Sequence, residues 1–297
     1  MKIAVTGGTG FVGSAILSEL LHQDHEVTVL VRSIPGGTAN TTGNIHYVQG
    51  NVVQGDGLVE LLDGKDALIH LVGIIREDGT NTFDGVHRHG TENVIKAAQD
   101  TGVKKLIHMS ALGTRENAVS RYHQSKWAGE EAVRTSGLDW TIFRPSIIYG
   151  PNDSFINMLA GMMRGSPVTP VLGGGRNLMQ PVFVKDVARA FCEAAAASWS
   201  SRHIYELGGP DVLEFKEILK VISETIEKKA VFISVPVGFM RPVIALLQAL
   251  GAKLPVTTDQ LIMMQEDNVC RSGDSLKEFS FDFTPFRDGI GSYLIVS

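Results

Sequence analysis

Hydrophobic and polar positions in the first half of the chain follow two alternating periods. Ile3-Ala4-Val5-Thr6 is short, apolar and β-rich, whereas Phe11 to Leu21 carries apolar residues at helical spacing (Phe11, Ala15, Leu17, Leu20, Leu21). Val27 to Val31 reads as a second buried strand, and Ile45 to Val48, Ala67 to Val72, Val103 to Met109 and Trp140 to Phe143 predict more. Helical patterns fit between most of these, notably Gly90 to Thr101 and Tyr122 to Ser136. Continuous apolar strands separated by amphipathic helices predict an α/β fold with a doubly wound parallel sheet covered on both faces. After Arg144-Pro145 the pattern loosens. Strands at Gln180 to Val184 and His203 to Leu207 mix with helices at Asp186 to Ala197 and Phe215 to Lys228, and Gly173-Gly174-Gly175 marks a loop. This predicts a first domain over 1–150 and a smaller α+β C-terminal lobe over 151–297, packed on the first.

Composition supports a folded protein. Of 297 residues, 43% are hydrophobic and 20% charged, which suits a large buried core and excludes a disordered chain. The formal charge is 27 − 32 = −5 without a long basic run, which argues against general nucleic-acid binding. The two cysteines, Cys192 and Cys270, are far apart, which argues against a disulfide scaffold and a cysteine zinc site and suits a reducing cytosol. No secretory leader is visible. The most apolar stretch, Val231 to Leu250, is broken by Arg241 and Pro242, so a spanning helix is not expected, although a surface-lying one is allowed. From Pro242 onward this stretch reads as a helix apolar on nearly every face, either core or a docking surface for a hydrophobic ligand, a membrane or a partner. The location implied is cytoplasmic, with peripheral membrane association open.

The strongest chemical signal is Gly7-Gly8-Thr9-Gly10-Phe11-Val12-Gly13, set between a clear strand and a clear helix. A strand–turn–helix that must receive a pyrophosphate needs a sharp turn, a backbone open to the anion, and close helix–strand packing. Gly7, Gly10 and Gly13 suit these requirements, and the helix N-terminus then offers its amides to the anion. The alternative is a tight turn of structural value only. The second strand ends Leu30-Val31-Arg32-Ser33. A carboxylate there would accept hydrogen bonds from a ribose. Arg32 instead suits a 2′-phosphate, or is simply an exposed arginine closing a strand. We therefore expect NADP(H) ahead of NAD(H).

Tyr122-His123-Gln124-Ser125-Lys126 contains Tyr-x-x-x-Lys, which on a helix places the phenol and the ammonium on one face. The lysine is expected to lower the tyrosine pKa and hold a ribose, leaving the phenol as general acid or base. At the end of the fifth strand, His108-Met109-Ser110-Ala111-Leu112-Gly113 offers one hydroxyl, Ser110. No metal site is expected. His87-Arg88-His89 lacks a completing carboxylate or cysteine and reads as solvated. Asp186 reads as a helix-start residue, and Cys192 and the pairs Met162-Met163 and Met263-Met264 read as packing.

The phrase Thr6-Gly7-Gly8-Thr9-Gly10-Phe11-Val12-Gly13 resembles the extended and atypical branches of the short-chain dehydrogenase/reductase superfamily, the NAD-dependent epimerase/dehydratase-like proteins. The resemblance implies a Rossmann-type sheet. It also implies cofactor contacts from Thr9, Phe11 and Val12 in the turn, from Asn51 and Val52 near the adenine, from Val72 and Gly73 beneath the ribose and nicotinamide, and from Pro145 against the nicotinamide. In many extended members the catalytic hydroxyl sits one place later, which here is Ala111. His89-Gly90-Thr91-Glu92-Asn93-Val94 and Gln180-Pro181-Val182-Phe183-Val184-Lys185-Asp186-Val187-Ala188 further resemble the atypical branch that contains the nucleotide-binding accessory subunit of respiratory complex I and its bacterial relatives. Two functions follow. One is an oxidoreductase or epimerase/dehydratase-type enzyme using Tyr122, Lys126 and Ser110 on a small, hydrophobic carbonyl or hydroxyl compound. The other is a cofactor-binding structural or assembly factor with little turnover.

Overall fold

The computed structural model describes residues 1–35, 41–42, 44–235, 258–271 and 275–294; the apolar helix expected over 237–250 lies outside the described residues. The chain forms two compact units, each drawn from separated stretches. The first comprises Met1–Pro145, Val184–Leu207 and Lys277–Phe279, and the second Ser146–Phe183, Gly208–Leu276 and Ser280–Ser297.

The first unit is built on one sheet. Its strands are β1 (Lys2–Thr6), β2 (Glu26–Val31), β3 (Thr41–Thr42), β4 (Ile45–Gln49), β5 (Ala67–His70), β6 (Lys105–Met109), β7 (Asp139–Pro145) and, from later in the chain, β12 (His203–Leu207). They lie in the order β12-β7-β6-β5-β1-β2-β4-β3. Seven of these strands run parallel, and β3 pairs antiparallel with β4 at the edge. This is the Rossmann-type doubly wound sheet that the apolar strands predict. In β1 only Lys2 is exposed and in β2 only Glu26, because helices cover both faces.

The helices of this unit are α1 (Phe11–His22), α2 (Leu58–Leu62), α3 (Gly90–Thr101), α4 (Arg121–Thr135) and α6 (Val184–Ala196). One core cluster joins Leu30, Val48, Leu58, Leu61, Leu62, Leu68, Val94, Leu106 and Ile142. Each such side chain taken from water contributes about 1.5–3 kcal/mol before conformational entropy is set against it. Helix α4 is anchored at both ends. Ser120 accepts a hydrogen bond from the His123 amide as its N-cap. Further along, fully buried Glu130 takes a two-pronged bond from Arg144 of β7, at 2.8 and 2.6 Å. Breaking so buried a pair from one side costs about 3–5 kcal/mol, which holds α4 in register with the sheet.

The division expected at residue 150 is cut across by the chain. After leaving the first unit at Pro145 it returns over Val184–Leu207, so α6 and β12 belong to the sheet-bearing unit. β12 adds a parallel strand beside β7, with Ile204 opposite Ile142. α6 packs against α1 and against the sheet, and its Val187, Ala190, Phe191 and Ala194 are all fully buried. Asp186 lies in the first turn of α6, and Cys192 is buried in its core-facing side. The strand expected at Gln180 to Val184 is shorter, β11 (Val182–Phe183), and α6 begins at Val184.

Among the described residues, the second unit holds three two-stranded sheets. They pair β8 (Ile148–Tyr149) with β11, β9 (Val168–Leu172) with β14 (Val231–Val235), and β10 (Leu178–Met179) with β13 (Leu213–Glu214). Its helices are α5 (Phe155–Gly165), α7 (Phe215–Thr225), α8 (Thr258–Met263) and α9 (Phe286–Leu294). In α5, Met163 is buried while its neighbour Met162 is 41% exposed, so only one of that pair is packing. No helix among the described residues is long and apolar enough to cross a membrane.

Candidate functional site

Parallel strands end at a common edge, and the turns that leave them there form a crevice. Gly7 follows β1, Arg32 follows β2, Asn51 follows β4, Val72 and Gly73 follow β5, Ser110 follows β6, and Pro145 ends β7. Residues from Gly7 to Pro145 are thereby drawn to one edge of one sheet.

At β1 the three glycines have separate reasons to be glycine. Gly7 adopts φ +77°, a left-handed conformation that side chains disfavour. A Cβ on Gly13 would fall 2.2 Å from the Gly7 carbonyl oxygen and 2.7 Å from Gly8, so only glycine lets α1 pack on the turn. Gly10 is ordinary extended backbone (φ −78°, ψ 176°), and a Cβ there would meet only the Gly7 oxygen, at 3.4 Å. The space beyond Gly10 is open. α1 starts at Phe11 with no side-chain cap and no acidic residue in its first turn, so its leading amides face that opening. Thr9 and Gly10 are exposed, and Phe11 and Val12 are half-buried. A dinucleotide pyrophosphate fits this cradle.

Arg32 is exposed and, with Gln49, Gly50, Asn51, Gln54 and Asp56, lines a cavity of about 350 Å³. Its carbonyl accepts from Gln49 Nε2 at 3.3 Å. Asn51 spends its side-chain oxygen on its own turn, accepting from the Val53 amide at 2.9 Å, and its backbone amide donates to the Asp56 carbonyl. Asp56 is a carboxylate in this cavity that reading strand ends alone does not find. It enters because the 51–56 turn folds back on Gly50. Val52 is 5% exposed and sits in the core cluster against Gly90.

At β5 the backbone passes close over α4. A Cβ on Gly73 would stand 2.9 Å from Lys126 Nζ and 3.4 Å from His87 Nε2. Lys126 is buried and donates to the Met109 carbonyl at 3.1 Å. Burial pulls its pKa down to about 8, against the opposing influence of Glu130. Tyr122 shares that face of α4, is half-buried, and rests edge-on against the rings of His87 and His123. Here the expectation from Tyr-x-x-x-Lys needs correcting. The phenol is pushed up to about 12, because burial disfavours the phenolate.

Ser110 is buried, with its amide bonded to the Phe143 carbonyl at 2.7 Å, while the Pro145 carbonyl accepts from the Leu112 amide at 2.9 Å. These bonds fasten the segment after β6 to β7. Ser110 Oγ donates to Thr114 Oγ1 at 3.4 Å, and Thr114 Oγ1 lies 3.4 Å from His123 Nδ1. Thr114 is a second buried hydroxyl that the sequence window ending at Gly113 leaves out. Gly113, at φ +91°, turns the chain back and brings Thr114 beside Ser110.

His87 is also a correction. It is 2% exposed, not solvated, while His89 does lie on the surface beside Asp84 and Glu92. The cause is a π-helical turn over Asp84–His89 leading into α3. Its wider winding points His87 inward and leaves the His87 carbonyl to be satisfied by the Thr91 hydroxyl at 2.7 Å. Thr91, having donated there, accepts from His70 Nε2–H at 3.2 Å, so His70 Nδ1 accepts from the Thr6 hydroxyl at 2.6 Å. Burial first and the Lys126 charge second push His70 down to about 3, so this neutral tautomer persists at physiological pH.

Comparison with known proteins agrees with this geometry. Residues 3–208 match the NAD dependent epimerase/dehydratase family. The chain is 26% identical to an Arabidopsis thaliana mitochondrial NADH dehydrogenase [ubiquinone] 1 alpha subcomplex subunit 9, over 95% of this chain and 74% of that protein. It is 33% identical to a ceramide reductase of Caulobacter vibrioides, over 64% of this chain and 60% of that protein. In structure it is similar to a dTDP-glucose 4,6-dehydratase of Streptomyces venezuelae solved with NAD bound, with TM-score 0.75 and 21% identity over 99% of this chain and 96% of the other. That likeness, at so low an identity, bears on the fold. Strand order, glycine turn and matched residues together place the chain in the NAD dependent epimerase/dehydratase family.

Proposed function

We propose that this protein is an NADP(H)-dependent oxidoreductase acting on the carbonyl or hydroxyl group of a small hydrophobic compound. The observation that carries the reading is the placement of Tyr122 and Lys126 on one face of α4, with the Gly73 backbone directly over the lysine. A bound nicotinamide supplies the hydride. The chain's own residues do the rest. The α1 amides and Gly10 receive the pyrophosphate, Arg32 meets the 2′-phosphate, Asn51 lies at the adenine side, and Val72, Gly73 and Pro145 line the nicotinamide end. Lys126 holds the ribose hydroxyls as an ammonium. Tyr122 is protonated throughout the physiological range and serves as the acid that delivers a proton to the substrate oxygen. Ser110, with Thr114 beside it, supplies hydroxyls to orient that oxygen. The similarity to a ceramide reductase supports a hydrophobic substrate.

A second reading, a cofactor-binding structural or assembly factor, is favoured by two observations. The lysine is bonded to the Met109 carbonyl while the phenol stays unactivated, and Ala111 occupies the usual hydroxyl position. The similarity to complex I subunits over most of the chain supports it too. A hydride-transfer screen across aliphatic and aromatic carbonyls with NADPH separates the readings. Turnover with any of them supports the first, and none with a well-bound cofactor supports the second.

Two results are expected from titration calorimetry. NADPH binds more tightly than NADH in the parent, and Arg32→Asp weakens NADPH by about 10–100-fold while improving NADH, since a phosphate-pairing guanidinium gives way to a ribose-accepting carboxylate. Equal affinities, unchanged by the substitution, remove Arg32 from the site. Lys126 sets a pH dependence. It is charged below about 8 and neutral above. Cofactor contact favours the ammonium, so binding above that pH requires proton uptake. NADPH affinity is therefore level below pH 8 and declines above it, and Lys126→Ala abolishes the decline.

A further inference from the structure

His87 has one permitted protonation state, and its bonds define it. The Ile74 amide donates to His87 Nε2 at 3.0 Å, so Nε2 bears the lone pair and the proton sits on Nδ1. Nδ1 lies 2.8 Å from Ser125 Oγ. Ser125 has committed its own hydrogen to the Tyr122 carbonyl at 2.7 Å, so its oxygen accepts from Nδ1–H. The donations then run one way, from Ile74 through His87 and Ser125 to Tyr122. They link the loop after β5 to the first turn of α4, and that loop is the backbone that lies over Lys126 Nζ.

The surroundings keep the ring neutral. An imidazolium would aim Nε2–H at the Ile74 amide hydrogen. Burial, then the charge of Lys126, then His70, together push the His87 pKa down to about 2. The groups packed around it are Lys126, Tyr122 and Ser125 from α4, His70 from β5 and Phe83 ahead of the π-helical turn. The turn itself is pressed on α4 at Gly129, where a Cβ would fall 2.5 Å from the His87 carbonyl oxygen. The ring is therefore confined by backbone on one side and by two directional bonds on the others.

We propose that His87 is a positioning residue: its neutral imidazole fixes the Gly73–Ile74 backbone against the first turn of α4 and so sets how closely Lys126 and Tyr122 meet what binds at this edge. This rests on the oxidoreductase reading for what binds, but not for the clamp itself. Leucine at 87 fills the space and offers neither bond. Glutamine carries one acceptor and one donor at comparable reach.

The test uses the full-length parent, His87→Leu and His87→Gln. Three readouts are followed: NADPH affinity by calorimetry, the Lys126 titration by 13Cε NMR, and melting by circular dichroism. We expect His87→Leu to lose about tenfold or more in NADPH affinity, with the Lys126 titration moving up toward the ordinary lysine range as water reaches it, and His87→Gln to stay within about threefold of the parent. The proposal is overturned if both variants lose stability alike while the Lys126 titration stays put, which is plain packing, or if His87→Leu matches the parent. Should the leucine variant fail to fold, 15N spectra of the parent's rings decide. A protonated Nδ1 and bare Nε2, unchanged across the physiological pH range, support the clamp, and an Nε2–H or charged ring sinks it. A parent that binds no NADPH defeats the oxidoreductase reading, while the ring spectra and the Lys126 titration still judge His87.

Discussion

Gly10→Val abolishes dinucleotide binding and leaves the melting temperature nearly unchanged: this is the sharpest result expected from the glycine turn. Extended backbone at residue 10 suits valine, and the added Cβ meets only the Gly7 oxygen at ordinary contact distance. The branch points instead into the opening faced by the α1 amides, where a pyrophosphate must approach. A loss of about 100-fold or more in affinity follows if one face of that contact is blocked, against a stability change of about 1 kcal/mol for altering an N-cap residue. Gly13→Val is the counterpart. Its Cβ would overlap the backbone of Gly7 and Gly8 at 2.2 and 2.7 Å, so α1 must lift from the turn. A cost of about 3 kcal/mol or more is expected there, the scale of overpacking that cannot relax. Calorimetric titration with NADPH and thermal melts on both variants check the contrast. If Gly10→Val binds within a few-fold of the parent, the turn is not the phosphate site.

The second large effect concerns Tyr122. Tyr122→Phe removes one hydroxyl and is expected to lower hydride transfer about 100-fold or more, the usual weight of a positioned proton donor, while NADPH affinity stays within about threefold. Lys126→Ala damages both, because the ammonium holds the cofactor. The direction of the tyrosine shift adds a pH signature. With the phenol at about 12, the reductive rate has no alkaline limb from Tyr122 below pH 10. Single-turnover mixing of the NADPH complex with an active carbonyl from the screen, at several pH values, checks this. A substitution that leaves the rate intact takes Tyr122 out of the chemistry and favours the cofactor-binding reading.

Where the chain's own pattern is informative, the reason is local. The Gly7–Gly13 turn is readable because strand, turn and helix are contiguous, and Gly13 answers a constraint set by Gly7 and Gly8, within six residues of itself. The helix carrying Tyr122 and Lys126 is readable because four residues span about one turn. The alternation of apolar strands with amphipathic helices predicts α1, α3 and α4 to within a residue or so at each end, and with them a parallel sheet. A parallel sheet then has one carboxyl edge on which strand-end residues must gather.

Tertiary structure decided what stands opposite those residues. His87 looks like a surface histidine until a π-helical turn rotates it inward, and a period of 3.6 gives no sign of one wider turn. Thr114 joins Ser110 only because Gly113 reverses the chain, and Asp56 enters the Arg32 cavity only because the 51–56 turn closes on Gly50. The helix face shared by Tyr122 and Lys126 follows from spacing, but their charge states do not. Burial pushes the phenol up and pulls the ammonium down, and the β5 loop that comes to lie against Lys126 Nζ is some fifty residues away in sequence. In the same way α6 and β12 rejoin the first unit through the apolar faces they bury against α1 and β7. Sequence by itself determined the local geometry and the chemistry carried to the sheet edge. Long-range burial decided which groups meet there and which of them hold a proton.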